Sequence, residues 1–322
     1  MKYKILIIYD VPGWAYHRRA TALKKYAPDD FDVDICSSHE GRHANLGSYQ
    51  LVFNLDYMTR GYERIIQGQE LNTILVISHN RDSKSRLEYF PDSYNPAQKC
   101  GFLIINNFEC FEFHERLPRT CNISNGVDTD IWKCLRPIEK REKRVIWTGS
   151  GNIKKAKGWH DILRHLMTQL EQRGFIPEFR AFPNGGDLKT WAWPTERMLE
   201  WYNSAFAVVC ASEHEGTPNT TLEGMTCGCV PVSTNVGNIR EFGRDKENCV
   251  IIKERKILEF VAGIEYAWEH RKRLSDAARE TMDPWAYEHR VAYFFQLFRR
   301  LIDDGPASIE PFSYLEVEPE GI

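Results

Sequence analysis

Short apolar runs alternate along this chain with stretches whose apolar positions recur every three or four residues. "KILIIYD", "FDVDICS", "YQLVFNLD", "TILVISHN" and "CGFLIINN" read as strands, and "HRRATALKKYA", after the first of them, reads as a helix. Such alternation builds βα units on a parallel sheet. The charged stretch "RPIEKREKR", Arg136 to Arg144, supplies no core and reads as a linker. Beyond it the pattern restarts: a strand "VIWTGSG", a helix "GWHDILRHLMTQLEQRG", a strand "PEFRAF", a helix "PTERMLEWYNSA", strands "FAVVCAS" and "CVPVST" on either side of a helix "TTLEGMTCG", and a short strand "NCVII". Two helical patterns, 256–282 and 285–302, precede an acidic, proline-containing end that is expected to be loosely ordered.

The division that follows is a first α/β domain over 1–135, a linker over 136–144, a second over 145–282, and a tail over 303–322. At 322 residues the chain has the length for two such domains. Two of them joined by a linker imply a cleft, with ligands at the carboxyl ends of the strands. Function is therefore sought in the loops that follow strands.

Composition narrows the choice of partner. With 42% hydrophobic and 27% charged residues and a net charge of -3, the whole chain has no general attraction for nucleic acid or anionic membrane. Asp10 ends the first apolar run too early for a secretory signal or a transmembrane segment. The nine cysteines show neither CxxC pairs nor zinc spacing, so reduced thiols of a cytoplasmic protein are expected, with no metal.

Three loops carry glycine and cations. After the first strand, "DVPGWAYHRRA" turns at Pro12 and Gly13 into a helix that opens with His17, Arg18 and Arg19. A glycine turn leading to a helix N-terminus can receive an anion on its amides; a structural turn with solvated arginines is the plainer reading. The strand opening the second half leads into "TGSGNIKKAKGW". Its Gly149 and Gly151 permit close approach of backbone, and Lys154, Lys155 and Lys157 supply charge for a diphosphate. No Gly-Lys-Ser/Thr follows, so this is no Walker A loop. The third loop, "SEHEGTPNTTLEGMTCG", places Glu215 and Glu223 on either side of Gly216, Thr217, Pro218, Asn219 and Thr220. A helix capped by Asn219 puts Glu223 in its first turn and leaves the amides of Gly216, Thr217, Asn219 and Thr220 for oxygens. Amides for phosphate and carboxylates for hydroxyl groups together suit a nucleotide sugar.

These residues carry a resemblance. Ser212 to Phe242 resembles the donor-binding signature of retaining nucleotide-sugar glycosyltransferases of GT-B architecture, glycosyltransferase family 4 (glycosyl transferases group 1). "CNISNGVDTDIW" resembles that family's Asn-Gly-Val-Asp segment, and "GNIKKAKGW" its Gly-Arg-x4-Lys-Gly segment, with Lys157 and Gly158 in register. The resemblance implies two Rossmann-like domains with parallel sheets facing a central cleft, and a last helix, about 285–302, crossing back onto the first. It implies that Glu223 holds the donor ribose, that Glu215 contacts the donor sugar, and that Lys157 neutralises the diphosphate. Gly13 would pack on the donor, and His79 in "VISHN" would lie near the reacting sugar. The implied reaction passes a sugar from a nucleoside-diphosphate sugar to an acceptor hydroxyl with retention, the departing phosphate helping to deprotonate the acceptor, with no cofactor.

One position departs from the family: Asn152 stands where it has arginine, and an amide lacks the charged fork that grips a diphosphate. Either Lys154 or Lys155 compensates, or the diphosphate is bound more weakly. The first half is also short for the family, which leaves the acceptor open among a saccharide, a lipid and a small metabolite. Peripheral membrane contact and a modified base in DNA are alternatives, both served by the basic cluster Arg18, Arg19, Lys24 and Lys25. A nucleotide-sugar binding module without transfer activity is a third; it would need Lys157 and Glu223 but not Glu215. "DVD" at Asp32 to Asp34 and "DTD" at Asp128 to Asp130 are poorly placed to be metal sites.

Overall fold

The computed structural model describes residues 2–41, 43–55, 73–77, 100–113, 119–150, 157–182 and 193–322. The chain forms two compact units, one of residues 1–126 and 287–322 and one of residues 127–286. Both are α/β units on wholly parallel sheets.

In the first unit, strands β1 (Tyr3–Tyr9), β2 (Phe31–Ser37), β3 (Leu51–Asn54), β4 (Thr73–Ile77), β5 (Phe102–Ile105) and β6 (Thr120–Asn122) are joined by β12 (Phe312–Ser313), in the order β12-β6-β5-β4-β3-β1-β2. Alternate residues of β1 serve two cores, which is why its apolar run is unbroken. Ile5 and Ile7 pack with Ala20 and Leu23 of α1 (Ala15–Lys25) and with Phe294, Phe295 and Phe298 of the last helix, Tyr287–Asp303. Leu6 and Ile8 pack on the other face with Phe111 of α2 (Phe108–Phe113). The aromatic stripe of the last helix is thus core of the first unit.

The acidic end departs from the sequence expectation. Phe312 and Ser313 pair with Cys121 and Asn122 of β6, the Ser313 hydroxyl donates to Asn122 Oδ1 at 2.7 Å, and Ile309 and Tyr314 are buried. Two paired residues are too few to leave a periodic signal in sequence.

The second unit orders β7 (Arg144–Ser150), β8 (Ile176–Phe182), β9 (Ala207–Cys210), β10 (Val230–Thr234) and β11 (Val250–Ile252) as β11-β10-β9-β7-β8. Helices α3 (Arg164–Glu171), α4 (Thr195–Ser204), α5 (Asn219–Thr226), α6 (Ile239–Phe242), α7 (Ile257–Glu269) and α8 (Arg271–Met282) follow in turn, with Tyr287–Asp303 as α9. The helical pattern 256–282 is two helices, broken at His270, whose φ of -105° and ψ of 14° leave the helical region. The charged stretch Arg136 to Arg144 lies inside this unit. Its Arg141, 4% exposed, donates to the carbonyl oxygens of Arg136, Tyr202, Ala205 and Cys227 at 2.6–3.2 Å. All nine cysteines are free thiols. No described helix is long and apolar enough to cross a membrane.

Candidate functional site

Strands β7 and β9 lie side by side, Val145 opposite Ala207, so the segments that follow them leave the sheet at the same edge. Lys157 comes from the first segment and Glu215 from the second. Gly158, at φ +77°, makes the approach possible, because a Cβ there would lie 2.6 Å from the Ala211 carbonyl oxygen. A turn of π-helix, Trp159–Leu163, starts at that glycine with the Leu163 amide donating to the Gly158 carbonyl at 2.8 Å.

Arg255 ties the same two segments from behind. Its Nε donates to the Ala211 carbonyl at 2.8 Å, and its two terminal nitrogens reach Asp161 Oδ2 and Oδ1 at 2.6 and 3.2 Å. A planar guanidinium paired in this bidentate way fixes orientation as well as distance.

The Lys157 ammonium donates to Glu215 Oε1, which also accepts from the Ser212 hydroxyl at 2.7 Å. Glu215 is only 8% exposed and the lysine side chain 26%. Burial pushes the Lys157 pKa down, but the charge of Glu215 and its hydrogen bond more than offset this, so the net shift is upward. The site therefore holds a preformed, neutralised pair of opposite charges.

Between Glu215 and α5 the chain turns on a second support. Gly237, at φ +52°, lies so close to the Gly216 carbonyl that a Cβ would collide with its oxygen. The next residue, Asn238, donates its amide to that carbonyl at 3.1 Å and accepts from the Thr217 hydroxyl at 2.6 Å. The Thr234 hydroxyl donates to the Ser212 carbonyl at 2.6 Å. The connection is thus held from β10 and the turn after it.

Helix α5 starts one residue away from the sequence expectation. Pro218 is the N-cap and Asn219 the first helical residue, so Glu223 is the fifth and has left the first turn. The Asn219 amide is taken by the Thr217 carbonyl at 2.9 Å. The Thr220 amide meets no acceptor among the described residues. Glu223 is 7% exposed, and its Oε2 accepts from the Tyr202 hydroxyl at 2.8 Å. Gly224 lets the helix lie against β9, since a Cβ there would stand 2.8 Å from Val208 Cγ1.

Lys157, Glu215, Gly216, Thr217, Pro218, Asn219, Thr220 and Glu223 all belong to the carboxyl edge of the second sheet or the helix leading from it. Gly149 lies within β7, where Trp147 packs over it. In the first unit, exposed Gly13 has φ +83° and donates its amide to His17 Nδ1 at 2.9 Å. Gly151, Asn152, Lys154 and His79 lie outside the described residues. Of the aspartate pairs, Asp34 accepts from the Tyr49 hydroxyl and Asp128 Oδ1 from the Asp130 amide. Ser212, Tyr202, Gly237, Asn238 and Arg255 join the site through the fold. The dipeptide Gly237–Asn238 before a helix is the one of these that sequence could have offered, as a turn signal.

Comparison with known proteins adds the family context. Residues 142–270 match the family model described as glycosyl transferases group 1. No curated protein sequence matches the chain. Among solved structures, the chain is similar to sucrose-phosphate synthase from Thermosynechococcus elongatus, with 13% identity, 94% of this chain and 100% of that one covered, and a TM-score of 0.65. It is similar to the Anabaena HepE protein in complex with UDP and glucose, with 14% identity, 94% and 100% covered, and a TM-score of 0.68. A glycosyltransferase from Rickettsia africae is similar at 13% identity, with 94% and 99% covered and a TM-score of 0.66. The chain has the two-sheet α/β fold of the GT-B glycosyltransferases, and the part of it that matches the glycosyl transferases group 1 model, residues 142–270, lies within the second unit.

Proposed function

We propose that this chain is a retaining glycosyltransferase of family 4 that moves a sugar from a nucleoside-diphosphate sugar to an acceptor hydroxyl. The observation that carries the reading is the buried pair of Lys157 and Glu215 at the carboxyl edge of the second sheet. Transfer separates charge: the sugar turns positive at its anomeric carbon while the leaving diphosphate gains negative charge. An ammonium and a carboxylate already held at the site can meet these two charges, one each. The diphosphate takes Lys157 from Glu215, and the carboxylate so released faces the sugar.

Glu223, one turn into α5, is assigned to the donor's ribose hydroxyls, with Tyr202 holding its other side. The departing phosphate takes the acceptor proton from the same face, so no protein nucleophile is needed and configuration is kept. Lys157 supplies the cation for the diphosphate, and we assign no metal or cofactor to the reaction. The UDP of the HepE complex makes a UDP-sugar the first donor to test. The nine free thiols favour a reducing compartment, and we place the protein in the cytoplasm.

The test is a panel of UDP-, GDP- and ADP-sugars scored by thermal stabilisation and slow donor hydrolysis, with Glu215→Ala alongside. Turnover with one donor, lost in Glu215→Ala while donor affinity persists, is the expected result. Absence of any shift with every nucleotide sugar and every free nucleoside diphosphate would overturn the reading.

A further inference from the structure

Arg19 is the most anomalous side chain in the first unit. The sequence places it in an exposed basic cluster with Arg18, Lys24 and Lys25, whereas the structure leaves Lys24 and Lys25 exposed and Arg19 1% exposed. Its Nε and both terminal nitrogens are buried and meet no hydrogen-bond acceptor among the described residues. Arg141, 4% exposed in the second unit, is by contrast ringed by carbonyl oxygens. Burying a charge without such partners is costly.

The surroundings define what is missing. The guanidinium carbon lies 5.4 Å from the centre of the Phe53 ring and 5.0 Å from that of Phe294, and the two rings are 6.1 Å apart. The three centres form a nearly equilateral triangle, so both rings flank the guanidinium on the same side. Among the described residues the groups that act on its charge are Tyr287, Tyr16 and Arg290, and none of these is a carboxylate. Arg290 donates to the Ser124 carbonyl at 3.2 Å and lies 3.6 Å over the Tyr314 ring.

The place is also the one where ligands meet such a fold. Side chains of a helix lean toward its N-terminus, and α1 starts from the loop after β1, so Arg19 points toward the carboxyl edge of the sheet. Phe53 is the last residue but one of β3, Ser124 follows β6, and Tyr287 opens α9, all toward that edge.

We propose that the first unit contains a carboxylate-binding site centred on Arg19. A carboxylate is planar and singly charged, matches the guanidinium fork with two parallel hydrogen bonds, and neutralises one unpaired charge. The aromatic rings on one side give the ligand's carboxyl end a dry, flat support. Because the guanidinium nitrogens are closed off from water, entry requires a neighbouring side chain to move; Tyr16, half-buried on the first turn of α1, is the most exposed of those named. If the second unit takes the donor, this ligand is the acceptor, a hydroxy acid or a saccharide bearing a carboxylate, and that step rests on the proposed function.

The probe is sodium acetate against sodium chloride at equal ionic strength, followed by thermal unfolding of the full chain at neutral pH. Wild type should rise saturably, by about 2 °C at ten times the Kd, and Arg19→Met should not. Arg19→Lys, which keeps the charge and loses the fork, should give a smaller rise and serves if the methionine variant does not fold. Acetate acting no differently from chloride on the wild type would overturn the proposal, as would a rise of equal size in either variant. UDP in parallel separates the two readings: it should stabilise wild type and Arg19→Met alike, and its failure would count against the donor site alone.

Discussion

The hydroxyl of Tyr202 donates to Glu223 Oε2 at 2.8 Å, with the tyrosine fully buried and the glutamate 7% exposed. The ring that carries this hydroxyl is itself fixed, edge-on to Trp132 with centroids 5.4 Å apart. A helix residue following β8 therefore sets the aim of a carboxylate on the helix following β9.

Replacing Tyr202 by phenylalanine keeps the packing and removes the donor. A buried carboxylate that loses one partner should cost about 1–3 kcal/mol, read as a lower urea midpoint. The donor KM should rise with kcat little changed, since Glu223 is assigned to binding and not to the reacting bond.

The Lys157–Glu215 pair has its own pH signature. The folded lysine's pKa lies above the ordinary value of 10.5, so the stability it contributes is full below that value and is lost as pH rises through the higher folded pKa. Glu215→Gln should abolish this stretch of the stability curve and lower kcat by about 100-fold or more. Stability measured from pH 9 to 12, together with single-turnover transfer, checks both.

Gly237 permits one of the supports behind the donor loop. Alanine there meets both a left-handed backbone and the Gly216 oxygen, so Gly237→Ala should destabilise by about 2 kcal/mol or more. It should also weaken donor binding, because the connection from Glu215 to α5 has to shift. Denaturant melts and donor titration of the variant give the two numbers.

Arg19 makes the opposite prediction. Burial pushes its pKa down from 12.5 to about 10. A base whose folded pKa is depressed destabilises fully below that folded value, and the penalty fades as pH rises from there to the unfolded value. Arg19→Met should therefore raise stability at neutral pH by about 2–3 kcal/mol, and the variant should lack the wild type's gain in stability between pH 10 and 12. Chemical denaturation at pH 7 and across the alkaline range would show it.

Strands other than the short β6 and β12 were legible as apolar runs, and Lys157 and Glu215 could be singled out because each follows a strand within a recognisable spacing. What escaped the sequence was contact at a distance. Tyr202 lies 21 residues from Glu223, and Arg255 lies 94 from Asp161, with no local pattern to announce either partner. Arg19 sits amid cations in sequence, and only the fold turns it inward beneath two phenylalanines. The break at His270 was hidden because the residues on both sides keep a helical period. The start of α5 was misplaced because Asn219, a good capping residue, is preceded by a proline that takes the cap position instead.

The first unit's core needs residues from both sides of the second unit in sequence. Ile5 and Ile7 close against Phe294, Phe295 and Phe298, with the whole second unit between them in sequence. During synthesis the β1 region emerges first and waits, while the second unit, continuous over 127–286, can complete itself as soon as it leaves the ribosome. The first unit is then completed after the second, and its apolar strands lack their cover until α9 has been made.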